Sequence, residues 1–237
     1  MKIDTTKRSN AIEIMDDFAL KGTELKEALD KIAWINQLLG GNKLTLQGLQ
    51  KVLVCVDKSR VIKIIDVGCG NGDMLRTIAD FGTKNGYNFE LVGIDANAFT
   101  VNHARQLSQN YSNISYLCED IFHLQQNILV GDVILSTLTL HHFKDAEIEH
   151  IVELFYKNAK CGIVINDLHR SKLAYRLFQL LGILFNLNQM SKQDGQISIL
   201  RGFKKSELQQ MAQKLNFSKS SITWKWAFRY QWIIQKI

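Results

Sequence analysis

Residues 64–73 read IIDVGCGNGD. An apolar run, Val61 to Ile65 with one Lys inside it, stops at Asp66, and Gly68, Gly70 and Gly72 follow at every second position. A strand that ends this way must turn sharply. It also leaves bare backbone that a ligand can approach, because glycine has no Cβ. Two familiar ligands fit poorly. A dinucleotide turn has the spacing GxGxxG, and a phosphate loop has GxxxxGK followed by Ser or Thr. Here the spacing is GxGxG, and no phosphate loop occurs.

From residue 61 onward, short apolar runs alternate with amphipathic stretches. The runs 61–66, 90–95, 114–117, 132–137 and 161–166 predict strands, and helices should begin near 72, 98 and 145, the last capped by Asp145. Such alternation predicts an α/β fold with a mostly parallel sheet, which binds ligands at the C-terminal ends of its strands. Residues 1–57 read as an N-terminal helical cap. Thr23 would cap a helix ended by Gly40-Gly41-Asn42, and Thr45 would cap a second. Residues 58–237 read as the ligand-binding domain. Within it, a helix over 169–188 and a polar loop, SKQDGQISILRG, would form a lid at about 169–200. A helix from Ser206, with Gln209 completing a capping box, precedes two β-rich runs, 220–226 and 228–235, that suit a terminal hairpin.

The chain has 237 residues, 46% of them apolar, and a net charge of +6. The basic residues are spread thinly, which argues for a solvated surface and against nucleic acid as a partner. Cys55, Cys69, Cys118 and Cys161 show neither CxxC pairing nor zinc spacing and read as buried thiols. With no signal-like N-terminus and no run long enough to span a bilayer, a cytoplasmic protein without stable membrane insertion is expected.

Two more acids follow strand ends: Asp95 in LVGIDAN and Asp120 in CEDIF. Asp95 stands where a carboxylate accepts hydrogen bonds from both ribose hydroxyls of an adenosine. Asp66-Val67-Gly68-Cys69-Gly70-Asn71-Gly72, with Asp95 and Asp120 in order, resembles the first motif and acid set of the class I S-adenosylmethionine (SAM) dependent methyltransferases. The resemblance implies SAM as cofactor and a Rossmann-like sheet of seven strands, the last antiparallel. Asp66 would order the turn through backbone N–H groups or water, with Gly68, Cys69, Gly70 and Gly72 around the methionine part. Asp95 and Ala96 would hold the ribose, Asp120 and Ile121 would flank the adenine, and Ser136 and Thr137 would close the site from strand four. The runs LGGNKLT, LTLHHF, INDLHRSKLAYRL and DGQISILRGF are similar to a bacterial small-molecule branch related to the ubiquinone and menaquinone C-methyltransferases.

Methyl transfer from a sulfonium needs alignment and exclusion of water, and a base helps when the acceptor is a phenol or an acid. Strand four ends in LTLHHF and strand five in NDLHR. His142 and His169 are the candidate bases, Asp167 would orient one of them, and His141 would stand behind. Arg170 suits an acidic substrate group or a surface ion pair. Asp167 is a lone acid there, so no metal is expected. The helix after strand five is apolar on two sides. One side would pack on the domain, and the other would line a pocket for a hydrophobic or aromatic acceptor together with the N-terminal helices, ordinary core or a homodimer contact being the alternative. O-methylation of a small metabolite is the favoured reading. The rivals are an NAD(P)-dependent oxidoreductase, opposed by the glycine spacing and the absence of Tyr-x-x-x-Lys, and a SAM-binding protein without catalysis.

Overall fold

The computed structural model describes residues 3–54, 56–124 and 128–236. Seven strands, β1 (Val61–Val67), β2 (Asn88–Asp95), β3 (Ile114–Cys118), β4 (Gly131–Thr137), β5 (Ala159–Leu168), β6 (Lys219–Lys225) and β7 (Arg229–Gln235), form one sheet in the order β3-β2-β1-β4-β5-β7-β6. β1 to β5 pair in parallel, and β7 runs antiparallel to both β5 and β6. The last two strands are thus the terminal hairpin, with Arg229 opposite Leu168 on one side and Lys225 on the other. The order reverses between β1 and β4, which opens a crevice at their C-terminal ends.

Among the described residues, eight α-helices clothe the sheet: α1 (Thr23–Leu38), α2 (Gly41–Leu53), α3 (Asp73–Asn85), α4 (Ala98–Leu107), α5 (Asp145–Asn158), α6 (Lys172–Leu184), α7 (Gln189–Arg201) and α8 (Lys205–Lys214). Both faces are covered, so the central strands are apolar on both sides. Ile62 and Ile64 pack with Leu49, Leu53, Leu75 and Ile78 from α2 and α3. Ile65 and Val67 pack on the other face with Ile148, Phe155, Leu208 and Met211 from α5 and α8. A third cluster joins Leu25, Ala28 and Leu29 of α1 to Met190 of α7. Of the N-terminal stretch, then, α2 belongs to the sheet's core, while α1 lies with α7. Among the described residues, no helix is long and apolar enough to cross a membrane.

Several local expectations are corrected. Thr45 does not cap α2. The helix starts at Gly41, just after Gly40 in a left-handed conformation, and Thr45 is buried with its hydroxyl accepting from Asn166 Nδ2 at 3.2 Å. Thr23 is the first residue of α1, and Gly22 takes the cap position. Asp145 likewise opens α5 one residue after its cap. The polar stretch read as a loop is helix α7. Asn188 caps it by accepting from Ser191 N at 2.9 Å. Gly195 is there for close approach, since a Cβ would lie 2.1 Å from the Phe178 ring. The capping contact of α8 runs from Lys204 N to Glu207 Oε2 (2.8 Å), not through Gln209. Cys69 and Cys161 are buried, Cys118 is exposed, and Cys55 lies outside the described residues.

Candidate functional site

The glycine turn is threaded between β2 and β4. Gly68 N and Cys69 N both donate to Ile94 O, at 2.8 and 3.1 Å. Gly68 has φ +74°, and a Cβ there would sit 2.3 Å from Thr139 Cγ2. Only glycine meets both conditions. Asp95, at the end of β2, clamps the turn: its Oδ2 accepts from Gly70 N and its Oδ1 from Asn97 N, each at 3.1 Å. The loop-ordering role expected of Asp66 therefore falls to Asp95, because the turn's N–H groups point toward β2. Asp66 is 2% exposed, and its Oδ1 has no hydrogen-bond partner. Burial, then the charges of Asp95 and Asp73, push its carboxyl up to about 8. Burial also raises Asp95.

A cavity of about 610 Å³ opens over this turn. Asp66, Gly68, Cys69, Gly70, Asp95, Ala96, Asp120, Ile121 and Thr137 line it. Gly72 and Ser136 do not. Gly72 starts α3 against the Tyr116 hydroxyl, and Ser136 is enclosed within β4. The helices α1 and α2 close this end, through Asp30 and Asn42, by links that the sequence alone did not reveal. Asp30 accepts from Asn71 Nδ2 (3.0 Å) and meets His103 Nε2 (2.7 Å), and Asn42 donates to Asp73 (2.7 Å).

At the other end, His141, His142 and His169 line the same cavity, and Asp167 stands behind it. Asp167 orients His141, not His142 or His169: His141 Nδ1 lies 2.7 Å from Asp167 Oδ1, with both side chains buried. Burial works to raise Asp167, but the charge and hydrogen bond of His141 outweigh it, so the carboxyl sits below its usual range. His142 has a different partner, Asp16, 2.6 Å from its Nδ1. Arg201 braces this pair. It donates to Asp16 (2.6 Å), to His141 O (3.0 Å) and to His142 O.

His169 is corrected as a candidate base. Its Nδ1 accepts from Trp224 Nε1 at 3.1 Å, so the lone pair that would take a proton is already used. Burial, then Lys204 and Arg170, lower its pKa. Arg170 does not reach the cavity. It is fully buried and holds Glu207 through both ends of its guanidinium, at 2.5 and 3.0 Å.

Glu13, from the segment before α1, completes the cluster. Its Oε1 has no hydrogen-bond partner and lies 3.9 Å from His141 Nε2 and 3.8 Å from His142 Nδ1. Burial raises its carboxyl to about 7, against the charge of His142. The expectation of no metal rested on Asp167 standing alone. Instead, Glu13, His141 and His142 bring three ligand-type atoms within 4.8 Å of one another. Arg201 Nη1 lies 3.5 Å from Glu13 Oε1, which disfavours a cation there. No periodic pattern marks Glu13 and Asp16. The only signal was an unassigned acidic stretch, EIMDD, ahead of the first helix.

Ala174, Leu177, Phe178 and Leu181 give the cavity an apolar wall from α6, and Trp226 and Phe228 close it from the β6–β7 turn. Leu180, Ile183 and Leu184, on the other side of α6, are exposed.

No curated protein matches the sequence significantly. Among solved structures, the plantazolicin methyltransferase BpumL, in complex with a monoazolic desmethylPZN analog and SAH, is similar over 88% of this chain and 89% of its own, with 16% identity and a TM-score of 0.65. The magnesium protoporphyrin IX methyltransferase ChlM from Synechocystis PCC 6803, with bound SAH, shares 15% identity over 86% of this chain and 87% of its own, with a TM-score of 0.56. The CurJ carbon methyltransferase shares 15% identity over 81% of this chain and 53% of its own, with a TM-score of 0.59. At these identities the likeness is one of fold. A family model described as a methyltransferase domain matches residues 58–235, nearly the whole length beyond the N-terminal stretch, and the chain belongs to that methyltransferase family.

Proposed function

We propose that the protein transfers the methyl group of SAM to a small hydrophobic or aromatic metabolite, with oxygen favoured over carbon as the methylated atom. One observation carries this reading. A single cavity joins a glycine turn flanked by three carboxylates to a cluster of imidazoles under an apolar wall. The acidic end suits a cofactor that is cationic at sulfur and at its ammonium and that carries no phosphate. SAM bound there would supply an activated methyl group on a good leaving group. Asp95 would hold the ribose, Asp120 and Ile121 the adenine, and the unpartnered Asp66 the cationic methionine end. The bound structures of BpumL and ChlM, which carry SAH, support the cofactor assignment. The kinship to ubiquinone and menaquinone C-methyltransferases belongs to this proposal as well, and the likeness to CurJ keeps carbon as the second choice.

At the imidazole end, His142 is the base. It is partly open to the cavity, and Asp16 holds its Nδ1, leaving Nε2 to accept the acceptor's proton. His141, fixed by Asp167, and Glu13 surround it and can share that proton. The apolar wall excludes water.

The test is transfer of labelled methyl from SAM to a panel of phenols, aromatic acids and carbon nucleophiles of matched size. Label on oxygen of an aromatic acceptor is the expected outcome. Label on carbon alone would overturn the preference for oxygen.

Asp95→Ala removes both ribose hydrogen bonds and the clamp on Gly70. Hydrogen bonds to charged groups are worth about 1.5–3 kcal/mol each. The dissociation constant for SAM, measured by calorimetry, should therefore rise tenfold or more. An unchanged constant would remove Asp95 from the cofactor site.

A further inference from the structure

Arg229 opens β7 and is 3% exposed, yet it lines the cavity. A buried guanidinium is ordinarily paired with a carboxylate. Among the described residues, no carboxylate lies within salt-bridge distance of Arg229. The guanidinium's one hydrogen-bond partner among the described residues is a neutral amide oxygen, Asn36 Oδ1, reached by Nη1. Nε has no partner. Asn36 is itself fixed, donating from Nδ2 to Asn42 Oδ1 at 2.5 Å. The guanidinium is thus oriented but not neutralised. The opposite charge that acts on it is Asp167, which is already bonded to His141 and to Leu168 N. Burial lowers the Arg229 pKa to about 10, still far above neutrality, so the residue keeps its charge.

We propose that Arg229 anchors a carboxylate of the methyl acceptor, which makes the acceptor a hydrophobic or aromatic acid. The inference rests on the methyltransferase reading and narrows its substrate class. Position favours the acceptor over the cofactor. The three carboxylates flanking the glycine turn stand at the ends of β1, β2 and β3. Arg229 sits on β7, three strand spacings from β1, roughly 14 Å across the sheet. Its neighbours along the cavity are Leu168, His169, Trp226 and Phe228, a surface for an apolar or aromatic body. Arginine suits the task because its planar fork matches a carboxylate with two parallel hydrogen bonds.

The test uses the full chain loaded with SAH, titrated calorimetrically with aromatic carboxylic acids and with the corresponding neutral amides. The wild type should bind the acids at least tenfold more tightly than the amides. Arg229→Gln should abolish that preference while leaving the affinity for SAH within about twofold. Arg229→Lys should restore only part of it, since a point charge replaces the fork. The wild-type acid-to-amide ratio needs no variant, so it stands even where a variant fails to fold. Equal binding of acids and amides by the wild type would overturn the proposal. So would a fall in SAH affinity in Arg229→Gln with no fall for 5′-methylthioadenosine, which lacks the amino-acid carboxylate. That result would assign Arg229 to the cofactor. Failure of the wild type to bind SAH at all would instead sink the methyltransferase reading beneath it.

Discussion

Replacing Arg170 with alanine is expected to lower the free energy of unfolding by about 3 kcal/mol, the lower end of the range for breaking a buried ion pair. Arg170 is fully buried, and it binds four groups at once. Its Nη1 and Nη2 take both oxygens of Glu207, Nη1 also takes Gly202 O at 2.5 Å, and Nε and Nη2 reach Thr5 O and Thr6 O at 3.1 and 3.2 Å. Alanine would leave those carbonyls without their donor and Glu207 without its counter-ion. The lower end applies because the Glu207 side chain is 29% exposed and regains water. Urea denaturation should show a lower midpoint at unchanged slope. Arg170→Lys should recover little, because an ammonium cannot span both carboxylate oxygens. SAM affinity, measured well below the midpoint, should hold. A normal midpoint with lost methyl transfer would put Arg170 back in the substrate site.

That residue also shows where sequence reading stops. INDLHR places Arg170 two residues past the end of β5, where a ligand-facing charge is reasonable. Nothing local reveals that α8, more than thirty residues later, brings Glu207 beneath it. The strands were legible because buried parallel strands leave continuous apolar runs, and DVGCGNG was legible because a turn that needs left-handed glycines admits few substitutes. Helix α7 was missed because its buried positions include polar residues with specific partners. Asp194 accepts from Ile14 N and Met15 N at 2.8 and 2.9 Å, and Ser198 donates to Glu13 at 2.6 Å. Those contacts fix the segment that carries Glu13 and Asp16. Half of the imidazole cluster therefore depends on pairings about 130 to 190 residues apart, which no periodicity encodes. The His141–Asp167 pair was within reach, since both lie at neighbouring strand ends, but the sequence did not say which imidazole the acid would face.

Asp66→Asn is expected to remove most of the pH dependence of SAM binding. In the cofactor-free protein, the Asp66 carboxyl is raised to about 8 by burial and by Asp95 and Asp73, so it is protonated at pH 7. The native state then binds one more proton than the unfolded chain between the ordinary carboxylate range and about pH 8. The stability this contributes is fully present below the unfolded value and is lost as pH rises through about 8, at up to about 1.4 kcal/mol per pH unit. With the cationic end of the cofactor on Asp66, as proposed, the preference would reverse, because that end favours the ionised carboxylate. At pH 7 the wild type should release close to one proton per SAM bound. That release is measurable as a buffer-dependent binding enthalpy in two buffers of different ionisation heat. Affinity should tighten as pH rises toward 8, above which the α-amino group, with its pKa of about 8, loses its charge. In Asp66→Asn the proton release should vanish, affinity at pH 8 should fall at least tenfold, and the cofactor-free protein should be more stable than the wild type at that pH. Glu13, raised to about 7, adds a similar slope between its unfolded value and pH 7, and the variant should keep it. Proton release that persists in Asp66→Asn would place the cationic end of the cofactor on Asp95 instead, and the unpartnered Asp66 oxygen would then need another occupant.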